Sequence, residues 1–414
     1  MLRISFDFLI KGSLTKSIFV LTNVLNLFII IYIDKFFYIS NNNMKNILIL
    51  GEEYWFKKES NPLFTESTFL LNYLGKKKDK RYNYIILQNP QELTKKINEI
   101  KKENIKAIFL FQDVLSDANL NNFTILEMKK YLFSLGVFIY PPVDIIDMFG
   151  SKNYNNILNI KLKYASLPHT QVLKFTNYKP YQDEKIITQT MYKVVEKLFK
   201  IFQKIVIKKG YSYEAKQVKI FNRDNIVDFY DFKHKVRTLN YKEFWGKKIN
   251  AINMDKGIDR YYIIQGFNKV VTKRKNEYRV FFHNGRAKYI AHGDKVPNYC
   301  LTNKENSDLL VNIVKFAKKL FKDYIKIVWT QDRLPILFRI DVSYAIDPEF
   351  QDEYSIKIDD FDTPVRIYAN ELEIDPTSFF YNRFICTNDE TFTSQKIQEN
   401  LAKYLNKYIK SLKD

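Results

Sequence analysis

The chain has 414 residues, and 46% of them are hydrophobic, a normal fraction for a folded protein. This length suits two or three packed subdomains, and the scarcity of Gly and Pro, at 11 each, excludes collagen-like and low-complexity chains. Lys and Arg number 66 against 46 Asp and Glu, so the formal net charge is +20. Such a basic protein attracts anionic partners, although a coding bias toward lysine explains the charge equally well.

Cysteine and histidine chemistry is sparse. The two cysteines, Cys300 and Cys386, are too few for a disulfide framework and have no His at zinc-ligand spacing. We therefore expect free thiols in a reducing compartment and a cytoplasmic protein. The four histidines show no catalytic or metal-binding spacing.

The N-terminal 43 residues contain an apolar run over 18–33. The run is shorter than the roughly 20 residues that span a bilayer comfortably, and two Asn residues interrupt it. Three interpretations fit: a membrane anchor or signal, a buried helix, or a translated extension before a true start at Met44. We favour the last, because Met44 directly precedes an apolar segment typical of an opening strand.

Residues 44–142 alternate short apolar runs with Lys- and Glu-rich helical segments. Apolar strands that alternate with helices indicate a parallel sheet covered on both faces, so we predict a Rossmann-like domain here. It lacks the glycine fingerprint of dinucleotide-binding domains. The predicted strands are 47–50, 84–87, 107–111 and 136–140, and the predicted helices are 91–102 and 122–135.

The remainder reads as two further units, 143–260 and 261–414, which makes the fold class α/β (α+β). The pattern is rich in strands, with one amphipathic helix capped by Ser307 and another over 394–412. The predicted strands are 203–208, 215–221, 261–268, 278–283, 288–292, 325–330, 336–343 and 365–372.

Acidic side chains recur on two strands of the last unit. Arg339 and Asp341 share one face of a strand, and Glu371 and Glu373 share one face of another, because side chains alternate. Carboxylates that face one another inside a protein need a cation between them. Oxygen ligands of this kind suit Mg²⁺, whereas a solvated outer face is the alternative.

Basic groups precede them in the chain. Lys208 ends an apolar strand and is followed by Gly210 and Ser212, a loop that predicts a phosphate cradle of backbone N–H groups beside a cation. Lys152 opens a helical segment after Gly150 and Ser151, and it is likewise a candidate to bind phosphate. For both lysines a simple solvated position is the alternative.

Glu277 and Arg279 begin a strand and share a face, either as a surface ion pair or as part of the site. The Asn284-Gly285 pair that follows is a strong signal for a hairpin turn.

Taken in order, these segments resemble the ATP-grasp superfamily, from about Pro141 to Pro376, and residues 44–142 resemble the domain that usually precedes it. The sequence departs from the family pattern at two positions, with Gly266 where an acid is usual and Glu373 where Asn is usual. Residues 344–363 form a long acidic segment that looks like an insertion over the site. The matching segments are 151–152, 164–170, 206–212, 262–267, 277–285, 338–342 and 370–376.

The resemblance implies an ATP- and Mg²⁺-dependent ligase that joins a carboxylate to an amine or a thiol through an acyl phosphate. It implies that Arg339 and Arg279 offset developing charge. ATP would be held by residues of both the 143–260 and the 261–414 units, and Mg²⁺ by acids of the 261–414 unit. The implied ATP-binding residues are Lys152, Lys208, Gly210, Ser212, Gln265, Phe267 and Glu277, and the implied Mg²⁺ ligands are Asp341, Glu371 and Glu373.

Two other functions fit the sequence. One is a kinase of a polyphosphorylated small molecule of the inositol phosphate type, which suits the positive charge. The other is a non-catalytic protein that binds nucleic acid or acts as a chaperone-type assembly-binding protein. Composition permits it, since 16% aromatic residues with many lysines can form stacking surfaces. The expected partners are ATP and an anionic small molecule or acidic peptide, with a membrane only if residues 1–43 are native.

Overall fold

A computed structural model describes residues 44–51, 81–87, 90–111, 114–115, 123–179, 183–211, 217–244, 247–250, 256–272, 276–292, 307–329, 334–374 and 394–412. The N-terminal extension, both cysteines and Ser212 lie outside the described residues. Within the described ranges, no helix combines the length and apolarity needed to cross a bilayer.

The first unit is a four-stranded parallel sheet. Its strand order is β2-β1-β3-β4, and all three strand pairs are parallel, as the alternating strand and helix pattern predicted. A capping box, in which Thr124 and Glu127 exchange side-chain and backbone hydrogen bonds, starts helix α2. The elements are β1 (Lys45–Leu50), β2 (Tyr82–Leu87), α1 (Pro90–Ile100), β3 (Ile105–Leu110), α2 (Ile125–Ser134) and β4 (Phe138–Tyr140).

The second unit is built on an antiparallel sheet of order β5-β10-β6-β7. Helix α5 packs on the face that carries Ile205, Ile207 and Ile264. Lys208 and Gln265 lie on the opposite face, because they alternate with those residues along their strands. The elements are α3 (Val143–Gly150), α4 (Tyr154–Ile160), β5 (Gln171–Phe175), α5 (Glu184–Phe199), β6 (Lys204–Lys209), β7 (Val218–Asn222), α6 (Phe229–Val236), β8 (Tyr241–Phe244), β9 (Lys247–Asn250) and β10 (Arg260–Gly266).

The third unit is an antiparallel sheet of order β12-β11-β13-β14 with helix α8 packed on one face. Asn284 and Gly285 have φ of 46° and 76°, so they form the predicted hairpin turn between β11 and β12. Ser307 caps α8 by accepting a hydrogen bond from the Leu310 backbone, as predicted. The elements are α7 (Lys269–Thr272), β11 (Tyr278–His283), β12 (Arg286–His292), α8 (Asp308–Val328), β13 (Leu337–Ala345), β14 (Arg366–Glu373) and α9 (Ser394–Ile409).

The prediction of a strand over 325–330 is wrong, because α8 continues through this segment to Val328. The β-branched and aromatic residues there favoured a strand locally. In the structure Tyr324, Ile325 and Val328 are buried at helical spacing and continue the apolar stripe that packs on the sheet. Tertiary packing therefore overrides local strand preference.

Strand β10 pairs with β5 and β6, so the predicted boundary between residues 260 and 261 falls at the start of a strand of the second sheet. Helix α9 packs against the first unit, where Leu405 and Ile409 contact the apolar face that includes Ile47 and Phe109. The division of the chain into domains at the predicted boundaries stays a prediction.

Strand β13 connects the three units through one of its faces. Leu337, at one end, belongs to the apolar cluster of the first unit and α9. Ala345, at the other end, belongs to the cluster of the second unit. Because residues two apart share a face, Arg339 and Asp341 lie between these apolar ends. The charged middle of β13 is thus the floor of a junction between the first and second units.

Candidate functional site

The floor of the junction carries rows of charge set by strand register. Arg279 on β11 lies opposite Asp341 on β13, which lies opposite Glu371 on β14. In the next row Arg339 lies opposite Glu373. Directly opposed residues point to the same side of a sheet, so these five side chains project together. The structure therefore brings together the acidic and arginine residues that the sequence assigned to the site.

Arg339 is the centre of this group and is only 4% exposed. Its guanidinium binds Asp341 with two hydrogen bonds of 2.7 and 2.9 Å and also contacts Glu373 Oε2 at 2.8 Å. Burial lowers the pKa of Arg339, but the Asp341 and Glu373 carboxylates outweigh burial and raise it. Burial raises the pKa of Asp341, which Arg339 opposes. Arg279 adds a longer contact of 3.8 Å to Asp341.

Lys152 reaches the floor from the turn between α3 and α4. Its φ of 59° is left-handed, a conformation that costs a non-glycine residue about 1–2 kcal/mol. The ammonium is buried and lies 2.9 Å from Glu371 Oε1. Burial lowers the pKa of Lys152, but the Glu371 carboxylate opposes this effect, and the pKa of Lys152 lies above its ordinary value. Burial raises the pKa of Glu371, but Lys152 opposes this effect, and the pKa of Glu371 lies below its ordinary value. Each group therefore stabilises the charged form of the other.

Lys208 faces the same floor from the end of β6. Its ammonium donates a 2.9 Å hydrogen bond to Asn370 Oδ1, and Asn370 Nδ2 donates one of 2.6 Å to Glu277 Oε1. Burial lowers the pKa of Lys208, while Glu371 opposes the shift. Asn370 lies in the ATP-grasp-like segment 370–376 but is not part of the sequence-based site assignment. Its position directly before the acidic pair was the available signal.

Gly210 and Tyr211 do not form the predicted phosphate cradle, and that prediction is wrong for their N–H groups. Gly210 N–H donates to the Tyr261 carbonyl at 2.9 Å, and Tyr211 N–H donates to the Gly150 carbonyl at 2.5 Å. A Cβ at Gly210 would lie 2.4 Å from the Ser151 carbonyl oxygen. The glycine therefore lets the end of β6 approach the turn that carries Lys152.

The two remaining predicted residues lie on or beside β10. Gln265 is 9% exposed and shares the cleft-facing side of the second sheet with Lys208. Phe267 follows the strand, where its ring lies 5.9 Å from the Lys204 ammonium and its N–H donates to the Lys204 carbonyl. Lys204 and Lys208 are at opposite ends of β6, so Phe267 and Lys208 are well separated along the second sheet.

Carboxylates on the floor are candidate ligands for Mg²⁺. In the part of the chain that the structure describes, no three Asp, Glu, His or Cys side chains are grouped to hold a metal ion, and Arg339 and Lys152 form ion pairs with Asp341 and Glu371. Asp341 and Glu371 are nevertheless direct cross-strand neighbours, with Cβ atoms about 4.5–5.5 Å apart in such pairs. Mg²⁺ needs only one or two carboxylates with water and phosphate oxygens. This pair fits, and the three-ligand assignment stays a prediction.

Comparisons with known proteins are informative only at the level of structure. No model of a protein family matches the chain, and no curated protein sequence matches it. The solved structure of D-cycloserine synthetase DcsG matches with a TM-score of 0.50 at 12% identity, over 87% of this chain and 99% of that chain. The chain has the ATP-grasp fold. At this level of identity the likeness concerns the ATP-grasp fold alone.

Two further ATP-grasp structures match at lower TM-scores. D-alanine–D-alanine ligase from Bacillus anthracis, complexed with ATP, matches at 0.44 with 11% identity, over 88% of this chain and 99% of that chain. The ATP-grasp ligase PsnB, complexed with a minimal precursor, matches at 0.42 with 10% identity, over 87% and 99%.

The acidic segment 344–363 of this ATP-grasp fold packs away from Asp341. Asp352 forms a 2.9 Å ion pair with Arg366, and Asp360 accepts a hydrogen bond from the Leu309 backbone at the start of α8. Arg366 lies opposite Ala345, which is about 13 Å along β13 from Asp341 at 3.3 Å per residue. These contacts do not place the segment over the charged floor.

Proposed function

We propose that the protein is an ATP-dependent carboxylate–amine ligase that acts through an acyl phosphate. One observation carries the proposal. Lysines from two separate segments, Lys152 and Lys208, meet the charged face of β13 and β14 in a junction between units. Cations opposite carboxylates are the arrangement that a nucleotide phosphate and a divalent ion require. The ATP-grasp fold supports the assignment.

The phosphates of ATP would bind between the lysines and the floor. Lys152 and Lys208 supply fixed positive charge, and Gln265 lies along the same cleft-facing side, where it can contact the nucleoside. Both lysines now contact protein acceptors, so phosphate oxygens would replace Glu371 and Asn370 as their partners. The site thus holds its cations in place before the nucleotide arrives.

Asp341 and Glu371 would hold Mg²⁺, which supplies charge neutralisation for the β- and γ-phosphates when it is bound. Release of Lys152 from Glu371 makes both groups available at the same time, the ammonium for phosphate and the carboxylate for the cation. Binding of nucleotide and of the divalent ion is therefore expected to be mutually reinforcing.

In the reaction, a carboxylate oxygen of the substrate attacks the γ-phosphorus and ADP leaves, which gives an acyl phosphate. An amine then attacks the acyl carbon, phosphate leaves and the amine loses a proton. Arg339, buried on the floor, and Arg279 beside it are placed to offset negative charge on the transferring group. The chain contributes mainly positioning and electrostatics.

The test is a screen for ADP release. Full-length protein is incubated with ATP and Mg²⁺ and with pools of carboxylic acids, acidic peptides and inositol phosphates, each with and without pooled amines. A ligase releases ADP only when an acid and an amine are both present, and Lys208→Met reduces the release. Release with an inositol phosphate alone, together with a stable phosphorylated product, would instead establish the kinase, and no release with any pool would refute both.

A further inference from the structure

Asn370 occupies an irregular position in β14. Asp341 pairs with Glu371, but the next residue of β13, Val342, pairs with Ala369, so Asn370 is an extra residue at a β-bulge. Regular alternation would send Asn370 and Glu371 to opposite faces of the sheet. A bulge re-aims side chains, and here both residues reach lysines above the floor.

The Asn370 side chain uses both ends of its amide. The carbonyl oxygen accepts from Lys208, and the NH₂ group donates to Glu277. An ammonium can only donate and a carboxylate can only accept, so a single amide orientation satisfies both partners. Asn370 therefore joins the second unit, through Lys208, to the start of β11, through Glu277.

Asn370 is uncharged, unlike the groups that pair with Lys152 and Arg339. Lys152 is paired with the Glu371 carboxylate, and Arg339 is paired with Asp341 and Glu373. Lys208, in contrast, is held by a neutral amide. A carboxylate in place of that amide would neutralise Lys208 and would face Glu277, a like charge. The Asn370 amide holds the Lys208 ammonium by a hydrogen bond but carries no negative charge to neutralise it.

We propose that Asn370 is a positioning residue that holds Lys208 in place for the phosphates of ATP without neutralising it. This inference rests on the proposed function, because it takes ATP as the ligand. It predicts that a negative charge at this position weakens ATP binding even where every hydrogen bond is kept. It also predicts that a ligand without phosphates is indifferent to the change.

The test uses Asn370→Asp alone and combined with Glu277→Gln. In the double variant the carboxylate introduced at position 370 accepts a hydrogen bond from Lys208, and the amide introduced at position 277 donates a hydrogen bond to that carboxylate. The hydrogen bonds and the total charge are therefore kept, while the negative charge moves beside Lys208. Glu277→Gln alone is the control for loss of the original carboxylate. Affinities for ATP with Mg²⁺ and for adenosine are measured by calorimetry on the full-length protein, and folding by urea denaturation.

We expect the double variant to unfold like the wild type, to bind adenosine within about twofold, and to bind ATP about 10- to 100-fold more weakly, the range for losing one hydrogen bond to a charged group. ATP binding at the wild-type level in the double variant would overturn the proposal, and so would equal weakening of ATP and adenosine. If the wild type binds ATP but none of the substrate pools causes ADP release, the proposed ligase activity is refuted while the proposal for Asn370 is not. A wild type that does not bind ATP would refute both.

Discussion

Gly210→Ala tests whether the close approach of β6 to the Lys152 turn is needed for the site. The added Cβ would lie 2.4 Å from the Ser151 carbonyl oxygen and 3.0 Å from its carbonyl carbon, and ordinary contact begins at 3.4 Å. The two backbones must therefore separate by 3.4 − 2.4 = 1.0 Å. The Tyr211 N–H donates across this contact to the Gly150 carbonyl, and the Gly210 N–H bonds the end of β6 to Tyr261 of β10, so the two segments do not separate freely.

Overpacking of this kind costs about 1–3 kcal/mol, whereas replacing Gly by Ala returns about 0.4–1 kcal/mol by restricting the unfolded chain. We therefore expect a net loss of about 1–2 kcal/mol in the free energy of unfolding. A displacement of about 1 Å at a reacting group can cost about 100-fold in rate. Because Lys208 and Lys152 flank the contact, ATP binding and turnover should fall together.

The assay compares Gly210→Ala with Gly136→Ala by urea denaturation and by ATP calorimetry. Gly136 lies between α2 and β4 and has φ of 63°, with no atom within 4 Å of an added Cβ. Alanine there therefore introduces backbone strain without a steric clash. Both variants should lose stability, but only Gly210→Ala should lose ATP affinity. Wild-type stability and ATP affinity in Gly210→Ala would refute the reasoning.

Three further predictions concern polar side chains at Asp341, Glu371 and Asn406. Asp341→Asn should lower the free energy of unfolding, measured by urea denaturation, by about 3–5 kcal/mol, because it breaks the buried ion pair with Arg339. It should also remove Mg²⁺-dependent ATP binding, measured by calorimetry, and wild-type ATP affinity in this variant would contradict the assignment of Asp341. Glu371→Gln should weaken ATP binding more with Mg²⁺ than with EDTA, because it removes a carboxylate as well as the partner of Lys152; equal weakening argues against a metal role. Asn406→Leu should stabilise the protein by about 1–3 kcal/mol, because the Asn406 amide is buried without a hydrogen-bond partner among the described residues; an unchanged or lower urea midpoint contradicts this.

Much of the site followed from local pattern. Alternation along a strand places Arg339 beside Asp341 and Glu371 beside Glu373 whatever the rest of the fold does. The structure adds that the two strands are neighbours in register, so the pairs face one another. Asn370 could not be assigned by alternation, since it reaches the site only through the bulge.

Other expectations failed for physical reasons. The backbone of Gly210 looked free to bind phosphate, but its N–H is used by the Tyr261 carbonyl, a partner distant in the chain. The segment that ends at Val328 has strand-forming residues, yet its buried stripe on the sheet makes it helical. Local preferences amount to a few tenths of a kcal/mol per residue and yield to apolar burial, which is worth about 1.5–3 kcal/mol per large side chain.

The amino-acid sequence by itself determined which side chains share a face and where chain turns occur, because both depend on neighbouring residues and backbone geometry alone. It thereby specified the α/β class, the Asn284-Gly285 turn and the acidic pairs. Only the tertiary structure decided which cation meets which anion: Lys152 with Glu371, and Lys208 with Asn370. Those partners are far apart in the chain, and their meeting depends on how the three sheets pack against one another, which no local preference encodes.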